Sequence, residues 1–299
     1  MYHQHTAPVS MQAKIICQLM RWTGMKRRTE KKMQFGLFVK HPAEPPKSLR
    51  KNFSVRVSEL CGRKVWTVSP LQGNADLVML YLHGGAYMAN INRQHWDLIG
   101  QLILKTRAVL IVPDYPLAPE ATYKEAYLFM DQLYESLLAS YPASRMIFCG
   151  DSAGGGLALG FSQHLKNVNR KLSEQLILFS PWLDLRMSHP DLEDYAAADP
   201  ILTIEGLKSA AEKYAGDTDL HDFRVSPICG TFDGLCRISV FTGTNDLLHA
   251  DAKKLKQLLD QQNISFNYFE YPGMFHDWVI ITSLKESQDV INKVKGLVR

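Results

Sequence analysis

Residues 145–159 read RMIFCGDSAGGGLAL. An apolar run from Met146 to Cys149 gives way to a glycine-dense turn holding one serine. The turn then opens into the helix-like AGGGLALGFSQHL of 153–165. GDSAG at 150–154 fits G-x-S-x-G, a weak signal alone. In a strand–turn–helix setting it is the signature of a nucleophile elbow. Gly150 and Gly154 remove side chains that would collide around a strained turn, and the helix that follows places its amino terminus under Ser152, where negative charge is favoured. The alternative of a phosphate cradle fails: Gly156 and Leu157 stand where Lys and Ser/Thr would be needed, and there is no G-x-G-x-x-G.

The same strand-then-glycine arrangement occurs upstream, where LVMLYL at 77–82 runs into HGGAY at 83–87. Continuous apolar runs of this length read as strands buried on both faces. Further strand-like segments are AVLIVPDY at 108–115, QLILFSPW at 175–182, RISVFTG at 237–243 and FNYFEYPG at 266–273, with helical patterns around 93–105, 123–140, 153–167, 249–262 and 284–297. This alternation predicts an α/β fold, a mostly parallel sheet of about eight strands with helices on both faces. FSVRVSEL at 53–60 and KVWTV at 64–68 alternate apolar and polar residues and predict an antiparallel pair. Residues 183–230 break the rhythm and are expected as an insertion with short helices. Residues 1–46 are helical in pattern to about Val39 and end in HPAEPP, a linker. Ligands bind at the carboxyl ends of strands in such sheets, where both glycine clusters fall.

Composition is that of an ordinary globular chain, and the length allows one large or two small domains: 299 residues, 46% hydrophobic and 21% charged. The net charge of +4 is uneven. Up to Lys51 there are eleven basic residues against two acidic ones, a local +9, so the rest carries −5. Such an arm suggests nucleic acid or an anionic membrane, but no nucleic-acid module accompanies it, and a solvated amphipathic helix is the expectation. The five cysteines are scattered and odd in number, which argues against a disulfide framework; Cys149 reads as a small buried hydrophobe. IICQLM near the start is too short for a signal h-region, and no run is long enough to span a membrane. A cytoplasmic protein with no metal, no cofactor and no nucleic-acid partner is expected, and a homodimer is compatible with the sequence. HQH at 3–5 is expected to be a frayed terminus.

A serine needs a base to take its proton, and in this type of sheet the order is serine, acid, histidine, each after a strand. Asp246 in GTNDLLHAD and His276 in GMFHDW satisfy order and setting. Asp251 is a rival acid, but it lies inside a helical pattern, where a helix-start carboxylate is the plainer role. His249 comes too early, and His83 is better placed to brace a loop. The HGGAY loop answers for the charge that acyl transfer creates: Gly85 and Ala86, with Ala153 after the serine, are expected to donate backbone N–H groups to an oxyanion, and Gly84 to make the turn. Ala86 serves in this way if its φ is negative.

With these pieces in order, the chain resembles the hormone-sensitive-lipase-like branch of the α/β-hydrolase esterases. The resemblance covers roughly 75–282 through HGGA, DYPLAPE at 114–120, GDSAGG, SPWLDL at 180–185, DPILT at 199–203, GTNDLLHADA and PGMFHDW. The family's loop is usually HGGG, and Ala86 replaces the third glycine. The resemblance implies a Ser152–Asp246–His276 carboxylesterase acting on small esters, with 1–46 and 183–230 forming a helical cap over a catalytic domain of 47–299. Trp22, Met25, Tyr195 and Ile201 would enclose the pocket, and acyl chains of roughly two to six carbons would fit. The same triad serves amide hydrolases of the deacetylase or formamidase kind. Ligand binding without turnover, or membrane adaptation through the basic arm, are readings of other classes. Asp114 and Glu120 are expected to tie neighbouring loops. Trp182, Tyr195, Phe275 and Trp278 are expected in the core more than in specificity roles.

Overall fold

The computed structural model describes residues 1–39, 41–72 and 77–298. An interior strand of the sheet is β4, Val78–Leu82, all five residues fully buried. Successive strand side chains point to opposite faces. Val78, Leu80 and Leu82 therefore join one apolar cluster, and Met79 and Tyr81 the other. Burial of each such side chain is worth about 1.5–3 kcal/mol, and here it is drawn from both faces.

Around β4 stand β5 (Val109–Pro113), β6 (Met146–Asp151), β7 (Gln175–Phe179), β8 (Arg237–Asn245) and β9 (Phe266–Phe275), all parallel. β2 (Phe53–Leu60) and β3 (Arg63–Pro70) form the expected antiparallel hairpin, and β3 pairs antiparallel with β5. The sheet has nine strands, in the order β1-β9-β8-β7-β6-β4-β5-β3-β2. The ninth corrects the expectation of a frayed terminus: Tyr2–Gln4 is β1, parallel to β9. The edge of β9 would otherwise leave a row of unpaired backbone groups. The His3 and His5 rings also stack on Phe269 and Tyr271.

One face is covered by α4 (Arg93–Thr106) and α10 (Lys285–Leu297), the other by α5 (Tyr123–Leu138), α6 (Ser152–Asn167) and α9 (His249–Gln261). The N-terminal arm forms α1 (Met11–Trp22) and α2 (Met25–Phe35), broken at Gly24 with φ 65°, then the short α3 (Lys47–Asn52). The stretch after β7 holds α7 (Leu192–Ala198) and α8 (Ile204–Ala215). α2 packs on α8, and Arg21 and Lys26 donate to the carbonyls of Ala198 and Ala196. The arm and the insertion thus meet above the carboxyl ends of the strands.

Candidate active site

β6 ends at Asp151 and α6 starts at Ser152, with no residue between them. The reversal requires φ 50° at Ser152, a left-handed conformation unusual for a residue with a Cβ. Two glycines make room for it. A Cβ on Gly154 would stand 1.9 Å from the Leu82 carbonyl oxygen, and one on Gly150 would stand 2.5 Å from the same atom. The elbow is therefore wedged against the end of β4, and its glycines are steric requirements.

Asp246 follows β8, and His276 follows β9. The structure brings both to Ser152, from 94 and 124 residues away in sequence. Nδ1 of His276 lies 3.0 Å from Oδ1 of Asp246, and Nε2 lies 3.0 Å from Oγ of Ser152. Since the carboxylate only accepts, Nδ1 carries a proton, and in the neutral imidazole it is the Nε2 lone pair that faces the serine hydroxyl. All three residues are buried. Asp246 is itself held, its Oδ1 accepting the N–H of Leu248. The adjoining Leu247 N–H donates to Asp199, whose other oxygen accepts from Ile201 and Leu202. Burial, then the nearby Asp246 carboxylate, pushes the Asp199 carboxyl up to about 6.

A third carboxylate, which sequence reasoning did not single out, reaches the histidine. Oδ2 of Asp277 lies 3.1 Å from Nε2 of His276, on the nitrogen that faces the serine. Two acceptors cannot share a bare lone pair, so this contact holds a proton, on the imidazole or on the acid. Burial disfavours the imidazolium, but the carboxylates of Asp246 and Asp277 outweigh it and hold the His276 pKa well above the ordinary histidine range. Burial pushes the Asp277 carboxyl up to about 6, and the imidazolium pulls it back. Asp277 sits at φ 53°, and its buried Oδ1 has no partner among the described residues.

The glycine loop departs from expectation at Ala86. The N–H of Gly84 is directed at Oδ2 of Asp151, 2.9 Å away, and so is not free for an oxyanion. A Cβ there would meet that same oxygen at 2.3 Å, so Gly84 is the turn-maker pressed onto the elbow. Ala86 has φ 55°, not the negative value expected, and Gly85 has φ 118°. The left-handed path follows from the tight bend in which Met88 and Ala89 donate to the Gly85 carbonyl. The N–H groups of Gly85 and Ala86 make no hydrogen bond to a described residue. Ala153, in the first turn of α6, has no intrahelical acceptor.

Asp151 is a second feature missed from sequence. Its buried carboxylate accepts from Tyr81 Oη, from Gly84 N and from His95 Nε2, 3.2 Å away. His95 is the third residue of α4, and its Nδ1 accepts the Asn92 N–H in a capping box, which leaves the Nε2 proton for Asp151. Although burial opposes it, these donors lower the Asp151 pKa, His95 contributing most. Asp151 thus ties elbow, glycine loop and α4 together. A weak signal was available, since a carboxylate beside the nucleophile in a wholly apolar strand needs buried donors.

The rival residues are occupied elsewhere. Oδ2 of Asp251 accepts the N–H groups of Leu183 and Asp184, bracing the loop after β7. That is a tertiary role in place of the expected helix-start one. Burial pushes its carboxyl up to about 8. His249 Nδ1 is 3.0 Å from Thr242 Oγ1, and its Nε2 is 3.5 Å from Glu270. His83 donates from Nδ1 to the Gly84 carbonyl and stacks on Tyr115, and burial lowers its pKa to about 4. Asp114 pairs with Arg63 at 3.1 Å. Trp182, Phe275 and Trp278 are buried in the core, while Tyr195 is half-buried, with its hydroxyl accepting from Lys253.

Beside the histidine is a cavity of about 220 Å³ lined by Met20 and Met25 of the arm, Gln94, Ile201, Phe275, Ile280 and Ile281, with His276 and Asp277 in its wall. Met25 and Ile201 enclose it as expected. Trp22 and Tyr195 do not line it, and Trp22 points to solvent. Among the described residues no cluster of His, Cys, Asp and Glu suits a metal ion, and no helix is long and apolar enough to cross a membrane.

Against this geometry, the sequence model of a family described as having the alpha/beta hydrolase fold matches residues 79–280. An esterase of Acinetobacter venetianus is 32% identical over 209 residues, 69% of each chain. An acetyl-hydrolase of Streptomyces hygroscopicus is 31% identical over 201 residues, 67% of each chain. The crystal structure of an esterase from the bacterial hormone-sensitive lipase family superimposes with a TM-score of 0.84 at 23% identity, covering 98% of this chain and 99% of that one. A hormone-sensitive lipase from a metagenome library superimposes with a TM-score of 0.82 at 23% identity, covering 97% and 98%. A buried serine on a strand–helix elbow, in a family whose relatives are ester hydrolases, places the chain in the α/β-hydrolase family, as an ester-cleaving hydrolase of the carboxylesterase type.

Proposed function

We propose that the site hydrolyses short-chain carboxylic esters through an acyl-enzyme on Ser152. The observation that carries this reading is the continuous hydrogen-bonded line Asp246–His276–Ser152, with 3.0 Å at each step. His276 Nε2 takes the hydroxyl proton as Oγ attacks the ester carbonyl carbon. The carbonyl oxygen becomes an oxyanion, to which the N–H groups of Gly85 and Ala153 donate. Collapse of this intermediate breaks the C–O bond to the alcohol, and His276 returns the proton to the leaving oxygen. Water then repeats the sequence on the acyl-enzyme, freeing the acid and regenerating Ser152. Asp246 keeps the imidazole in the required tautomer and stabilises the transient imidazolium.

The short-chain preference is supported by the cavity. At about 220 Å³ it falls below the roughly 300–1,000 Å³ of pockets that take drug-sized ligands. The name of the Streptomyces relative, an acetyl-hydrolase, points the same way. In this reading residues 1–46 and 183–230 are the cap over a catalytic domain of 47–299. The test has two arms. A fluorophosphonate probe is expected to label one peptide, the one carrying Ser152, and Ser152→Ala to abolish both label and turnover. p-Nitrophenyl acetate, butyrate and caproate are expected to outrun decanoate and palmitate. A label elsewhere refutes the nucleophile, and a palmitate rate equal to butyrate, or a jump at the emulsion point, refutes the closed short-chain pocket.

A further inference from the structure

The helix α1 is apolar on two sides. Ala13, Ile16, Cys17 and Met20 face the body of the protein and pack in its core. Met11, Ile15, Leu19 and Trp22 follow one another at helical spacing on the opposite side, a single stripe. Their exposures are 70%, 53%, 50% and 81%. A helix resting on a protein surface ordinarily carries polar residues there, as the sequence led one to expect. The stripe is bordered by cations: Lys14 and Arg21 on α1, and Arg27, Arg28, Lys31 and Lys32 on the outer side of α2, all exposed. Arg21 donates to the Ala198 carbonyl. The other five make no ion pair among the described residues, and Glu30 is the sole acidic residue of the two helices.

An apolar ridge ringed by unpaired cations needs an occupant that offers both a hydrocarbon phase and negative charge. A second copy of the chain meeting it symmetrically would set cations against cations, because a two-fold interface pairs a patch with itself. We propose that the α1–α2 face docks on the surface of an anionic phospholipid bilayer, with Met11, Ile15, Leu19 and Trp22 entering the headgroup–acyl boundary and the cations meeting the lipid phosphates. This is the physics of an interfacial helix: apolar area on one side, electrostatic attraction around it, and no span. α1 and α2 also supply Met20 and Met25 to the cavity beside His276, so the docking face lies on the cap over the candidate site. The inference does not depend on which reaction that site performs.

The structure supplies its own reporter. Trp22 is exposed, whereas Trp66, Trp96, Trp182 and Trp278 are buried at 1% exposure or less. Acrylamide quenching of tryptophan emission therefore reads Trp22. The full chain is mixed with vesicles of phosphatidylcholine alone or with a third of the lipid replaced by phosphatidylglycerol. Expected are co-sedimentation with the anionic vesicles, a blue shift and loss of quenching, and release by high salt. Ile15→Ser/Leu19→Ser and Arg27→Glu/Lys31→Glu should each weaken binding at least tenfold. Both are expected to keep the wild-type circular dichroism spectrum and thermal melt, which would show that they are folded. The proposal is overturned if the chain stays in the supernatant with anionic vesicles, if both double variants bind as the wild type does, or if Trp22 is shielded without lipid by concentration-dependent self-association.

Discussion

Replacing Asp277 by asparagine removes one carboxylate charge 3.1 Å from Nε2 of His276 while keeping the side chain's shape. Asparagine also tolerates the left-handed backbone at φ 53°, so the loop is expected to keep its path. A carboxylate at this distance favours the imidazolium, and an opposite charge within ~4–6 Å shifts a pKa by about 1–3 units. Burial of the pair offsets part of this, and a downward shift of about 1–2 units is the expected result for His276 in the variant. Each unit is 1.36 kcal/mol, or tenfold in the ratio of neutral to charged imidazole. The sign follows from the mechanism: His276 must be neutral to accept the serine proton, its pKa is raised in the wild type, and removing one cause of the rise extends activity to lower pH. At one pH unit below the wild-type midpoint, the neutral fraction climbs from about 0.1 to about 0.5 or more. The assay is kcat/KM for p-nitrophenyl butyrate from acid to alkaline pH, which reports the free enzyme. Because the Asp277 carboxyl itself titrates at about 6, the wild-type acid limb spans coupled steps, and midpoints are compared. Coincident midpoints, or a shift to higher pH, would refute the role given to Asp277.

Asp246→Asn is expected to cost on the order of 10⁴ in kcat by favouring the wrong tautomer of His276, whereas Asp251→Asn should change kcat by less than tenfold. Measured kcat values in the reverse order would show that the acid is misassigned. The Asp251 carboxyl stands at about 8 in the folded chain, far above an unfolded aspartate. Its contribution to stability is therefore full at acid pH and lost as pH rises toward and through 8; thermal melts should show the Asn variant gaining on the wild type across that interval. Asp151→Ala leaves Tyr81, Gly84 and His95 without their acceptor and is expected to destabilise by about 2–4 kcal/mol in urea unfolding. Gly154→Ala, with its Cβ 1.9 Å from the Leu82 carbonyl oxygen, is expected to cost about 3 kcal/mol or more, and a melt indistinguishable from wild type would mean the elbow is not wedged as described.

What the sequence by itself determined is whatever depends on short-range pattern. Continuous apolar runs forced β4 to β7 inside, because only a strand covered on both faces has no polar side to show. The alternation of FSVRVSEL announced the hairpin, and the two glycine clusters marked where the chain turns at the strand ends. The order Ser152, Asp246, His276 was legible because each follows a strand whose end is in the same place.

The tertiary structure decided everything that depends on where an atom points. Gly84 and Gly85 are adjacent and alike in sequence, yet the N–H of one is directed at Asp151 and that of its neighbour is not. Ala86 takes a positive φ because the bend after Gly85 demands it. Tyr2–Gln4 becomes a strand only because β9 offers an open edge 266 residues away in the chain. Asp277 follows the histidine by one residue, a spacing that carries no message, and only a left-handed backbone swings its carboxylate back to Nε2. Trp22 was expected to point into the pocket, but the rotation of α1 on the body is set by how Ala13, Ile16, Cys17 and Met20 pack, and that places Trp22 outward. Periodicity records which residues share a face; which face meets the core is settled by long-range packing.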